Sequence, residues 1–174
     1  MTQWPLLSIL IWLPIFGGLA TLAFGDSRST SSKWFASGIA ALTLLMTVPL
    51  LLGFSNATAG MQFEENLSWI SSLNIRYHLG ADGIAVPLIA LTTLTSLLVM
   101  IGAWTSIDRR VSQYYAAFLI LEGLMVGVFA AMDAMLFYVF FEGMLIPMFL
   151  IIGVWGGPRR MYAAVKFFLY TFLG

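Results

Sequence analysis

Two glutamates stand alone inside long apolar runs: Glu142 in LFYVFFEGMLIP, residues 136–147, and Glu122 in LILEGL, residues 119–124. An ionisable side chain within a membrane span costs roughly 3 kcal/mol on insertion scales, so a carboxyl kept there points to an ion or proton path. The plainer reading is a protonated carboxyl, or one hydrogen-bonded between helices. Desolvation disfavours a carboxylate, whereas a neighbouring ammonium favours it. A glutamate whose lysine partner approaches and withdraws can therefore take up and release a proton in turn. Lys166 is the one lysine within an apolar stretch, at the fifth residue of a run that begins near Tyr162. That position suits an interfacial anchor as well as a proton path. Pro147 would free the carbonyl of Gly143 for water or a polar group, though it equally suits a simple kink.

The other chemistry-bearing residues read differently. Asp133 and Asp82 stand just before apolar runs, where a carboxylate caps free helical N–H groups. His78 has no second ligand at metal spacing and is expected to be solvated or interfacial. The sequence has no cysteine, no G-x-x-x-x-G-K-[ST] and no G-x-G-x-x-G after a strand, and its one histidine lies outside the apolar runs. Iron–sulfur ligation, nucleotide loops and haem ligation are all poorly served. No metal-binding or cofactor-binding residue is expected, so any redox cofactor must belong to a partner.

Holding two carboxyls in hydrocarbon requires spans. A bilayer core about 30 Å thick takes roughly 20 apolar residues at 1.5 Å rise. Five segments meet this length, at about 4–24, 34–54, 84–104, 113–131 and 134–156, and a sixth at about 162–174 is expected to be an incomplete span. Glu142 then lies about 12 Å from one end of its helix, and Glu122 about 14 Å from the opposite end of its own. Residues 55–83 form the one long connection. There, Trp69-Ile70 and the alternation from Leu73 to Leu79 predict a short strand or hairpin at the interface.

Composition agrees: the chain is 60% hydrophobic and 9% charged, far from the quarter or so of charged residues in soluble domains. The expected fold class is an all-α polytopic transmembrane bundle forming a single membrane domain over 1–174, since lipid admits only helices or closed barrels. Eight basic residues balance eight acidic ones, leaving no basic field for nucleic acid. The basic residues are sorted by loop. Arg28, Lys33, Arg109, Arg110, Arg159 and Arg160 fall in loops one, three and five, while Arg76 alone falls on the other side. By the positive-inside rule the first set is cytoplasmic and the N-terminus lies outside. The opening residues, Met1 to Trp4, carry no Lys or Arg, so the first apolar run reads as a retained span rather than a cleaved signal.

The run from Leu136 to Tyr170, LFYVFFEGMLIPMFLIIGVWGGPRRMYAAVKFFLY, resembles the antiporter-like subunit M family of proton-pumping NADH:quinone oxidoreductase, respiratory complex I. Residues 80–84, GADGI, and 128–133, VFAAMD, are similar to it as well. The resemblance implies a fold of fourteen helices, of which this chain would supply five and part of a sixth. It implies proton translocation coupled to electron transfer in partner subunits, with Glu142 as the intramembrane glutamate of the fifth helix. Glu122 matches a fourth-helix glutamate of many bacterial members. The lysine partner and the second half of the pump would lie outside these residues. NADH, flavin, iron–sulfur clusters and quinone would belong to other membrane and peripheral subunits, and the chain to the lipid bilayer of a bacterial inner membrane, N-terminus periplasmic. The alternative family is the large subunit of a multisubunit sodium/proton antiporter, which shares the fold and the glutamate. A third reading, a span bundle with no ion path, requires both glutamates to be replaceable by leucine.

Overall fold

The computed structural model describes residues 4–25, 29–55, 57–58 and 60–174; Asp26 and Arg28 of the first loop lie outside these. The helices run α1 Leu6–Phe24, α2 Ser29–Gly53, α3 Ala85–Gly102, α4 Val111–Ala130, α5 Ala134–Trp155 and α6 Arg160–Leu173. Among the described residues, the first five are long and apolar enough to cross a membrane. The chain is a mainly helical, multi-pass membrane protein. The helix α2 starts five residues before the predicted run, because Ser29 to Lys33 are polar yet still helical. Hydropathy marks the part of a helix in hydrocarbon, not its whole length.

Between α2 and α3 lies an antiparallel hairpin, β1 Gln62–Ile70 and β2 Ile75–Ala81. The predicted alternation falls on β2, and β1 extends the hairpin beyond it. Its turn is a 3-10 segment, Ser71–Leu73, closed by Asn74 in the left-handed region at φ 53°, which asparagine tolerates better than most residues. Phe63 also takes a positive φ, 56°, where the register slips between Gln62 and Glu65. This bulge sets Phe63 against the helical core and turns Glu65 towards α1.

The central helix is α4, packed against α1, α2, α3 and α5. Its apolar surface is buried all round, as expected of a helix inside a bundle. Leu10, Ile11, Val126 and Phe140 belong to one half of the core, and Ala36, Met100, Tyr115 and Leu119 to the other. The outward faces stay apolar, with Leu52 82% and Leu98 58% exposed. Such faces call for lipid or further protein around them.

Close approach of α1 to α4 depends on a missing side chain. A Cβ at Gly123 would collide with the Ile11 carbonyl and the side chains of Pro14 and Ile15. Small residues let helix backbones meet in this way, and in lipid such packing is the main force between helices. Gly123→Ala should therefore lower stability by about 1–3 kcal/mol, the cost of overpacking. Gly38→Ala, where a Cβ meets nothing within 4 Å, should be neutral or slightly stabilising. Thermal unfolding of both variants in detergent checks the contrast.

Candidate functional site: two carboxyls at mid-span

The two glutamates lie at nearly one depth. Counted at 1.5 Å per residue from the end that carries Arg109 and Arg160, Glu122 is about 17 Å along α4 and Glu142 about 20 Å along α5. The two helices are antiparallel neighbours, so both carboxyls come to the middle of the bundle. They do not share a face of α4. Glu122 looks towards α3, whereas Leu124, about 200° round the helix, is the residue that meets Gly143 beside Glu142.

Glu122 is 1% exposed, and neither carboxyl oxygen has a hydrogen-bond partner among the described residues. It borders a cavity of about 300 Å³ lined by Thr92, Thr95 and Ser96 of α3 and by Phe118 and Met125 of α4. The hydroxyl of Thr92 donates to the Leu88 carbonyl at 2.8 Å. It is thereby held by its own helix. The carboxyl oxygens are themselves closed off from this cavity, so water or a cationic side chain gains access to them only when its wall moves. A buried charge without a partner is costly, so proton exchange at Glu122 requires that access.

Glu142 is half-buried, and its Oε2 is enclosed without a hydrogen-bond partner among the described residues. Pro147 is buried within α5, which continues through it. Lys166 joins neither glutamate. It is exposed on α6, with Nζ 5.7 Å from the Tyr162 ring centroid and 5.4 Å from that of Tyr170. It lies about 9 Å along its helix from the basic end, well short of the depth of Glu142. Among the described residues, the one contact between a basic and an acidic side chain within 4 Å is His78 Nε2 to Glu64 Oε2, at 3.8 Å. No group of three or more His, Cys, Asp or Glu residues suited to a metal is found among them.

The two ends of the bundle differ in charge as the loop pattern predicts. Lys33 donates to the Trp104 carbonyl at 2.7 Å, and Trp155 Nε1 to that of Arg109 at 2.9 Å, drawing the basic loops together. At the other end the hairpin is tied to the ends of α4 and α5. Met132 N–H donates to the His78 carbonyl at 2.9 Å, fixing β2 to the end of α4. Asp133 Oδ1 accepts from the N–H groups of Met135 and Leu136, as the predicted cap, while its Oδ2 accepts from that of Arg76 at 3.2 Å. Asp82 likewise accepts from Ile84 and Ala85 at the start of α3.

Sequence reasoning missed Glu65. It caps α1 from 58 residues away, accepting at Oε1 from Leu7 N–H at 2.8 Å and Ser8 N–H at 3.2 Å. The Ser8 hydroxyl donates to Oε2 and also contacts Tyr77 Oη, which accepts from Trp12 Nε1. Pro5, at the N-cap position, has no side chain that could do this. Local sequence carries no signal of a cap supplied by a distant strand. Sequence reasoning also passed over Thr92, Thr95 and Ser96 of α3, although their recurrence at helical spacing within an apolar run was a signal that could have found them.

The bonds at Asp133 have a pH consequence. The N–H groups of Arg76 and then Leu136 hold its carboxyl below the ordinary range. A depressed value means that its contribution is complete above the unfolded-state value near pH 4 and is lost as pH falls through the folded one. Amide exchange at Arg76 and Leu136, compared with that at sites remote from Asp133, should therefore accelerate below about pH 4. Asp133→Asn should remove that pH step.

Comparison with known proteins finds similar chains. Residues 131–174 match the family model described as NADH:quinone oxidoreductase/Mrp antiporter, TM. The chain is 49% identical over 174 residues to NADH-quinone oxidoreductase subunit M of Rhodobacter capsulatus, covering 97% of the chain and 33% of that protein. It is 38% identical to subunit M of Rickettsia prowazekii, covering 100% and 36%, and 41% identical to NADH-ubiquinone oxidoreductase chain 4 of Arabidopsis thaliana, covering 97% and 34%. A chain of respiratory complex I from Thermus thermophilus with bound NADH superposes with a TM-score of 0.81 at 26% identity, over 96% of this chain and 33% of that one. The chain thus spans about a third of the length of the relatives it matches.

Proposed function

We propose, from the chain's similarity along its whole length to about a third of NADH-quinone oxidoreductase subunit M, that the complete protein is a proton-translocating membrane subunit of complex I. NADH oxidation and quinone reduction would take place in partner subunits, which hold the flavin and the iron–sulfur clusters. Glu142 and Glu122 would each hold and release a proton near mid-membrane. Lys166 would serve as a cationic group towards the basic end. That end would face the cytoplasm of a bacterial cell, with the N-terminus in the periplasm.

The observation that carries this reading is the pair of glutamates at one depth on adjacent helices, each with carboxyl oxygen enclosed and unpartnered among the described residues. A scaffold bundle has no use for two such groups, since insertion of each is costly. The second reading is a large subunit of a multisubunit sodium/proton antiporter; the family description names an Mrp antiporter beside the oxidoreductase. NADH-driven acidification by membrane vesicles containing the complete protein in its assembly separates the two. Proton transport that depends on NADH and is lost with Glu142→Gln is the expected result. Sodium-driven proton exchange by the protein without NADH would replace this reading with the second.

A further inference from the structure

Phe140 of α5 fills the space of a side chain that Gly127 of α4 lacks. A Cβ at Gly127 would lie 2.7 Å from both Cγ and Cδ1 of the Phe140 ring and 2.8 Å from Cδ2, well inside the roughly 3.5–4.0 Å at which carbons pack. Both residues are buried, Phe140 at 4% exposure. Close by, the arrangement reverses: Leu124 of α4 lies against Gly143 of α5, where an added Cβ would sit 3.4 Å from Cδ2. Each helix thus gives the other one large side chain and one glycine, and of the two glycines Gly127 is the one where a methyl collides. Leu136, Phe140, Gly143 and Pro147 recur at helical spacing along this side of α5. Both interlocks join α4 to α5 inside the bundle, so they do not depend on what lies against its outer faces.

Phe140 and Gly143 bracket Glu142 in the sequence. On the helix, Glu142 is about 100° round from Gly143 and about 200° from Phe140. That is the side on which α6 packs, since Phe149 meets the Phe168 ring and Gly153 meets Ala164. Lys166 is about 200° round α6 from Ala164 and so is turned away from α5, while Glu122 borders the cavity beside α3. Glu142 Oε2 has no hydrogen-bond partner among the described residues. Its placing therefore falls to the rotation of α5 itself. A side chain about 5–6 Å from a helix axis moves about 2 Å when the helix turns by about 20°. Misplacing a reacting group by about 1 Å can cost about a hundredfold in rate.

We propose that Phe140, seated at Gly127, is a positioning residue for Glu142 that fixes the rotation of α5 at which the carboxyl exchanges its proton. The inference rests on the reading of Glu142 as a proton-transfer group. Its test uses the complete protein in its assembly, with two readouts per assembled complex: NADH-driven proton transport, and the rate at which dicyclohexylcarbodiimide forms an N-acylurea at Glu142, followed by peptide mass. Gly127→Ala should lower transport about tenfold to a hundredfold and change the labelling rate several-fold. Adding Phe140→Leu removes about the bulk that the methyl brings, a volume-conserving exchange, and should restore most of both. Gly153→Ala puts a methyl on the same helix at 3.7 Å from the Ala164 Cβ, an ordinary contact, and should change neither. Phe140→Leu alone introduces no collision, so it serves where Gly127→Ala fails to assemble, and it should lower transport and change labelling by loosening the seat. Fewer assembled complexes with unchanged transport and labelling in each, no recovery in the double variant, or an effect of Gly153→Ala as large as that of Gly127→Ala would each overturn the proposal. Labelling needs no turnover. Normal transport by Glu142→Gln would remove the proton-transfer reading, whereas unchanged labelling in Gly127→Ala and Phe140→Leu would remove the seat.

Discussion

Replacing Glu142 by Gln in the complete protein should abolish NADH-driven proton transport while the assembly accumulates at its normal level. Gln keeps the size of the side chain and most of its hydrogen-bonding capacity but cannot ionise, so it separates titration from packing. The expected loss is about a hundredfold or more, the scale on which a positioned proton-transfer group contributes. On the proposed function, in which the two processes are coupled, electron transfer should fall with it. Glu142→Asp keeps the titrating group on a shorter stem and should retain a substantial part of both activities. If the carboxyl served only to pack α5, Gln would be nearly neutral, since a hydrogen bond between membrane helices is worth about 1 kcal/mol. The measurement is acidification of membrane vesicles by NADH, normalised to assembled complex. Transport at the wild-type level in the Gln variant would remove Glu142 from the mechanism.

Glu122 should show stability and activity moving in opposite directions. Its oxygens are enclosed and have no hydrogen-bond partner among the described residues, and Phe118 and Met125 border the same cavity. Leucine fills such surroundings without leaving a polar group unsatisfied, a defect that costs about 1–3 kcal/mol. Glu122→Leu should therefore raise the unfolding temperature of the protein while eliminating proton transport. Glu122→Gln should lose transport without that gain, because it leaves an unsatisfied amide in place of the carboxyl. Such opposition is expected where a site is kept for function at the expense of packing. Thermal unfolding and vesicle acidification measured on the same preparations decide the point. A Leu variant that transports protons normally would make Glu122 a structural group and leave Glu142 as the remaining candidate.

Most of the linear features were legible in the sequence, because they depend on one dimension only. The apolar runs over 4–24 and 134–156 correspond to α1 and α5 within a residue or two, since the length that spans a bilayer is set by rise per residue. The mid-span depth of Glu122 and Glu142 followed from counting along those runs. The Asp133 cap was legible because an N-cap acts on N–H groups two or three residues away. The sorting of basic residues to one end required only that successive spans alternate in direction.

Which way each helix faces was decided by the tertiary structure. In water, an apolar stripe identifies the buried side of a helix. In lipid both the buried and the outward faces are apolar, so periodicity loses that information. What turns Glu122 towards α3 is the close seating of α1 on α4 at Gly123, where an added Cβ would meet the Ile11 carbonyl. The same rotation brings Leu124, not Glu122, against Gly143. The Glu65 cap on α1 and the Trp155 bond to the Arg109 carbonyl likewise join residues 58 and 46 positions apart, through a hairpin and two helix ends. Chain composition sets the solvent and the depth of each group; contacts among small residues and distant loops decide which groups meet, because those contacts exist only once the helices have packed.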